Sequence, residues 1–240
     1  MPDGRPNRRI FVACGLALSG LVAGLPQARA DTIEVDGKAV RIERFGAAPN
    51  APALVLVHGS DGAGMRYRSA SRGLAAAGFN VFMVHYLDMT GDKRARFGTL
   101  TQNIPTWSGA VRAAVDAAAR QTKASRPVGV IGVSLGGVLA VLAAQQDPRV
   151  GAVVSYFGYV PRGTVTRRLP PTLILHGAKD RIVPVESAIA LQQIVQEQGV
   201  PSEIRIFPEA GHGFGAKEEA QAMQELTRFL RRHLGPVRGK

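Results

Sequence analysis

Cysteine is almost missing from this chain. Cys14 is the only one in 240 residues, and it falls in an N-terminal stretch that reads as a removable leader. The remaining sequence then has no disulfide, no thiolate nucleophile and no cysteine metal site. Its histidines lack ligand spacing, so no metal is expected, and no cofactor motif is present. Aromatic residues make up 6% of the chain, with a single tryptophan. No basic helix with interleaved aromatics occurs, which argues against a nucleic-acid partner. Acidic residues are also scarce, 18 against 30 lysines and arginines, for a net charge of +12. The arginines are scattered in small clusters, as on a solvated basic surface, although an anionic small substrate stays open.

Long apolar runs are lacking too. The longest, Ile10 to Leu25, is interrupted by Gly15, Ser19, Gly20 and Gly24 and is short for a membrane span. Arg8 and Arg9 precede it, and Ala28-Arg29-Ala30 offers a small-x-small cleavage site before Asp31. Residues 1–30 therefore read as a signal peptide, and the chain as exported, periplasmic or secreted. Asn7-Arg8-Arg9-Ile10-Phe11-Val12 resembles a twin-arginine export signal, with a general secretory route as the alternative. Residues 31–240 are ordinary in composition and of a length for one α/β domain.

The order of elements is legible from punctuation. Thr32–Val35 and Ala39–Ile42 alternate about Asp36-Gly37, a hairpin signature. Ala53–Val57 is an unbroken apolar run of strand length, as in a parallel sheet buried on both faces. Further strands are expected at Phe79–Tyr86, Val128–Ile131, Val150–Tyr156, Thr172–His176 and Glu203–Phe207. Helices are expected at Met65–Ala77, at Pro105–Arg120 with Pro105 in the first turn, after Ser134, at Val185–Gln198 and at Lys217–Leu234. Residues 87–103 read as irregular. Alternating strands and helices imply a mostly parallel central sheet with helices on both faces.

The centre of this pattern is Gly132-Val133-Ser134-Leu135-Gly136, between an apolar strand and an apolar helix. A sharp strand–turn–helix with small neighbours presents the serine and aims the helix's free N–H groups at any oxyanion formed there. A serine hydroxyl needs a base, and the base an orienting carboxylate. Asp180 follows the strand at 172–176, and His212 lies between Gly211 and Gly213 after the last strand. Each has a plainer reading, Asp180 as a turn cap and His212 as a solvated loop residue. All three follow predicted strands, where ligands bind in such sheets. His58 and His176 read as structural strand ends. His85-Tyr86 read as pocket lining or strand-end packing, Trp107 as helix core, and Arg66, Arg68 and Arg162 as candidate partners of a substrate carboxylate.

Five segments together carry a family resemblance. They are Val57-His58-Gly59, Gly132–Gly137, Ser155-Tyr156-Phe157-Gly158, Leu175–Asp180 and Gly211-His212-Gly213-Phe214. In this order and spacing the chain resembles the dienelactone hydrolase family, of the α/β-hydrolase fold. The resemblance implies a cofactor-free hydrolase of small esters or lactones. Ser134 would attack the carbonyl, His212 would act as base and then acid, and Asp180 would orient His212. The backbone N–H groups of Leu135 and Ser60 would bind the oxyanion. Two features depart from the family pattern: its name-giving members carry a cysteine where Ser134 stands, and a glutamate where His58–Gly64 has only Asp61. The alternatives are a peptidase, amidase or acyltransferase on the same fold, or a non-catalytic binding protein on a hydrolase scaffold.

Overall fold

The computed structural model describes residues 29–46, 48–121, 127–161 and 163–235. The expected leader lies outside these residues except for Arg29 and Ala30, and Arg162 lies outside them too. Eight strands run in the order β1 (Arg29–Val35), β2 (Lys38–Phe45), β3 (Ala53–Val57), β4 (Asn80–Val84), β5 (Val128–Val133), β6 (Val150–Tyr156), β7 (Thr172–Gly177) and β8 (Ser202–Phe207). They form one sheet of spatial order β1-β2-β4-β3-β5-β6-β7-β8. The hairpin β1–β2 and the β2–β4 pair are antiparallel, and every pair from β4 to β8 is parallel. Asp36 and Gly37 both take positive φ, at 48° and 72°, as a tight hairpin turn requires.

Five helices cover the sheet: α1 (Met65–Ala76), α2 (Leu100–Gln121), α3 (Leu135–Gln146), α4 (Glu186–Glu197) and α5 (Ala216–Leu234). The strand β3 shows how its sequence divides the core. Val55 and Val57 join the cluster containing Trp107 of α2, Leu139 of α3 and Leu191 of α4. Leu54 and Leu56 join Tyr67 and Leu74 of α1 and Leu226 and Phe229 of α5 on the other face. An all-apolar strand is what a sheet sandwiched between helices demands.

Two elements differ from the sequence reading. The fourth strand ends at Val84, and Tyr86–Met89 forms a short 3-10 turn instead of continuing it. Asp88 draws the chain aside, accepting hydrogen bonds from the Arg41 backbone and guanidinium on β2. Pro105 sits inside α2, not in its first turn, because the helix begins five residues earlier. A proline there costs about 3 kcal/mol in an isolated helix. Leu100 and Ile104, packed on the core, draw the extra turn into place. Pro105 itself is exposed, as are Thr101 and Gln102, so backbone groups left unpaired around it can be hydrated.

Candidate active site

The turn between β5 and α3 is built around one strained residue. Ser134 has φ 54° and ψ −118°, a conformation L-residues rarely adopt, costing on the order of 1–3 kcal/mol. Its N–H donates to the Tyr156 carbonyl on β6 (2.8 Å), and its carbonyl accepts from Gly137 N–H (2.8 Å). The flanking glycines are obligatory. A Cβ on Gly132 would stand 2.1 Å from the Gly136 carbonyl oxygen, and one on Gly136 would stand 2.2 Å from that of Val57. The small residues in the motif are thus a consequence of backbone meeting backbone.

Asp180 and His212 reach the serine from two loops stitched to each other. Ala178 N–H donates to Phe207 O and Lys179 N–H to Ala210 O, each at 2.9 Å. Gly177 permits this approach, since a Cβ there would meet the Gly211 carbonyl at 2.3 Å. His212 Nε2 lies 2.9 Å from Ser134 Oγ, and its Nδ1 lies 2.7 Å from Asp180 Oδ2. A carboxylate accepts only, so Nδ1 carries the proton and Nε2 is left as acceptor for the serine O–H. Asp180 Oδ1 accepts from Ile182 N–H and Val183 N–H, each at 2.9 Å. The two readings of Asp180 therefore hold together: one oxygen caps the turn and the other faces His212.

His176 lies behind this chain, fully buried. Its Nε2 is 2.8 Å from the Val183 carbonyl and 3.3 Å from Asp180 Oδ2. Burial lowers its pKa, so it stays neutral and adds no charge beside Asp180. Phe157, at φ 51°, turns its ring toward this cluster, 5.4 Å from the His212 ring and 4.5 Å from that of Phe214.

Ser60 stands across the site on the loop after β3, and side chains hold that loop. The Gly59 carbonyl accepts from Tyr86 OH (3.0 Å) and from Gly62 N–H (3.2 Å), with His58 Nδ1 at 2.8 Å. In a trans peptide the next N–H points the opposite way, so these donors fix the direction of the Ser60 N–H. Gly59 N–H donates to Tyr67 OH (2.9 Å), which donates to Asp61 Oδ1 (2.9 Å). Arg66 donates to both Tyr67 OH and Asp61. Ala95 N–H donates to the Ser60 carbonyl (2.8 Å), so residues 87–103 do border the site, as a brace. The His58 ring stacks on Tyr86 at 4.3 Å, and burial lowers its pKa to about 4. A neutral His58 with its proton on Nδ1 donates to Gly59.

A cavity of about 560 Å³ opens above Ser134. Ser60, Ser134 and His212 line it, with Leu56, Leu74, Ile131, Met223 and Leu226 among its apolar walls. Arg66 also lines it but is engaged by Asp61 and Tyr67. Arg68 instead pairs with Glu43, which also contacts His85 Nε2. Neither His85 nor Tyr86 lines the cavity, so the packing reading of that pair is the correct one. Trp107 is core, its Nε1 donating to Thr90 Oγ1 at 3.2 Å. The sequence reading missed three residues: Tyr67 and Tyr86 as braces, and Glu219 on the cavity wall. A signal existed for Tyr86, because it follows the end of the strand paired with the one that ends at His58.

A parallel sheet, a strained serine at the end of its central strand and partners on later strand ends define the α/β-hydrolase fold. The sequence model of the dienelactone hydrolase family matches residues 42–230, and the chain belongs to that family. A carboxymethylenebutenolidase homolog of Xenopus tropicalis is 30% identical over 108 residues, 44% of each chain. The chain thus matches less than half the length of such curated relatives. A dienelactone hydrolase-like promiscuous phosphotriesterase from metagenomic libraries superposes with a TM-score of 0.77 at 19% identity. That match covers 88% of this chain and 100% of the other. An acylaminoacyl peptidase from Pyrococcus horikoshii superposes with a TM-score of 0.73 at 15% identity, covering 90% of this chain and 43% of that one. Likeness at these identities concerns the fold.

Proposed function

We propose that the protein is a serine hydrolase of small carboxylic esters or lactones. The observation that carries this reading is the unbroken hydrogen-bond chain Ser134 Oγ–His212–Asp180 at a cavity large enough for a small substrate. His212 Nε2 takes the Ser134 proton as Oγ bonds to the substrate carbonyl carbon. The resulting oxyanion is met by the N–H groups of Ser60 and Leu135; one such donor lowers the barrier by on the order of 2.7–4 kcal/mol. Collapse breaks the ester C–O bond, and His212 returns the proton to the departing alkoxide. Water, deprotonated by His212, then attacks the acyl-enzyme, and Ser134 recovers its proton as the acid leaves. Asp180 holds the imidazole in the required tautomer and stabilises its cation. Membership of the dienelactone hydrolase family supports an ester or lactone as the bond cleaved.

The test is labelling of the folded protein with a fluorophosphonate, followed by mapping of the adduct. The expected adduct is on Ser134, lost in His212→Ala. Ester turnover in Ser134→Ala is expected to fall by about 10⁴-fold or more with the melting temperature retained. A folded wild-type protein that takes no label and cleaves no ester would refute the reading. A panel of matched esters and amides separates esterase from amidase activity.

A further inference from the structure

The charges around the cavity are unevenly matched. Three formally charged side chains line it among the described residues, Asp61, Arg66 and Glu219, beside His212. Asp61 and Arg66 neutralise each other, and His212 is engaged by Ser134 and Asp180. Glu219 stands alone. It lies in the first turn of α5, exposed to solvent at the cavity wall, and its carboxylate has no hydrogen bond or ion pair among the described residues. Partial desolvation alone raises its pKa, and no cation offsets that effect. Its charge is felt at Tyr156, whose buried phenol is held neutral in part by it.

Aromatic rings line the cavity that Glu219 borders. Tyr156, Phe157 and Phe214 line the same cavity, with ring centroids between 4.5 and 6.1 Å apart. An unpaired carboxylate beside several ring faces is the composition that binds an ammonium group, through Coulomb attraction and cation–π contact. A substrate carboxylate finds less: the charge of Arg66 is offset by Asp61, its Nη2 is committed to Asp61 and Tyr67, and Arg68 is outside the cavity.

We propose that Glu219 is a specificity-determining residue that makes the cavity prefer esters bearing an ammonium group and discriminate against anionic ones. This rests on the hydrolase reading above and names its substrate class. It reverses what the net positive charge of the chain suggests, because the residues that line the cavity, not the total, set the field a substrate meets there.

The test uses two matched ester series. In the first, the p-nitrophenyl esters differ in the acyl tail: trimethylammoniobutyrate, its uncharged tert-butyl isostere and the adipate half-ester. In the second, the acetate esters differ in the alcohol: choline, its tert-butyl isostere and glycolate. The expected result is a kcat/KM ratio, cationic over anionic, of about tenfold or more in at least one series. That ratio should drop about tenfold in Glu219→Gln and invert in Glu219→Lys. A structural role would lower all members of a series together and leave the ratio in place. Turnover of the neutral isosteres with a ratio that Glu219→Gln and Glu219→Lys leave unchanged in both series overturns the proposal alone. Absence of turnover for every ester, with no fluorophosphonate adduct on Ser134, overturns the hydrolase reading instead.

Discussion

The two walls of the site are held in different ways. The Ser134 turn is fixed by backbone against backbone: Gly132 against Gly136, Gly136 against Val57. Everything it needs lies within six consecutive residues and the two strands beside them. The Ser60 loop is fixed by side chains instead. Tyr86 reaches Gly59 from 27 residues away, Tyr67 and Asp61 clamp the other side of the same residue, and Ala95 holds the Ser60 carbonyl. The first wall has no slack, because atoms already in contact cannot give way. The second depends on hydrogen bonds worth about 1 kcal/mol each, so it tolerates loss in steps.

Substitution should expose that difference most sharply at Gly136. A methyl group there would sit 2.2 Å from Val57 O and 2.5 Å from His58 O. Gly136→Ala is expected to cost at least about 3 kcal/mol and to abolish fluorophosphonate labelling, as read by thermal melting and mass spectrometry. Gly109→Ala, in α2 with nothing within 4 Å of the new atom, is the control and should not destabilise.

Acid should act on the other wall. His58 titrates at about 4 in the folded protein, held down by burial, against about 6.5 when unfolded. The unfolded chain therefore binds more protons below pH 6.5. This contribution is complete above that value and is lost as pH falls toward 4. For His58 alone it amounts to about 3 kcal/mol. His85 and His176 are lowered in the same direction by burial and add to the slope. Urea midpoints measured from pH 7 to pH 4.5 should fall steadily; a flat profile would contradict a neutral His58 at Gly59.

The smallest effect is expected from Tyr67→Phe. It leaves Gly59 N–H and Asp61 Oδ1 each without one partner but keeps the ring in its contacts. Stability should fall by about 1–2 kcal/mol, and kcat by about tenfold as the Gly59 end of the Ser60 loop loosens. Equal loss of kcat from Gly109→Ala and Tyr67→Phe would erase the distinction between a braced loop and ordinary packing.

The same contrast decides what could be read from sequence. The strand at Ala53–Val57, the serine turn and the positions of Asp180 and His212 each depend on short-range patterns: an apolar run, a glycine spacing, a loop after a strand. These were legible with nearly correct boundaries. Among the braces of the Ser60 loop, Tyr67 was not, since a tyrosine in a helix carries no mark of the backbone atom it will meet. Pro105 misled because a local rule for helix starts was outweighed by the burial of Leu100 and Ile104. Glu219 was invisible among the acids Glu218 and Glu219 that suit any helix N-terminus. Arginines drew attention as substrate partners, but pairing is a property of the folded chain, and Arg66 and Arg68 each already face an acid, Asp61 and Glu43.

The helix α5 closes the sheet from below the site. Leu230 and Leu234 fit against Gly129 of β5, where a Cβ would lie 3.2 and 2.8 Å from their methyl groups. His212 enters the chain just before this helix. A polypeptide leaving the ribosome thus presents its serine nearly eighty residues ahead of the histidine that faces it. Until residues 212–234 have been made, no imidazole can face Ser134 Oγ and no leucine of α5 can seat against Gly129.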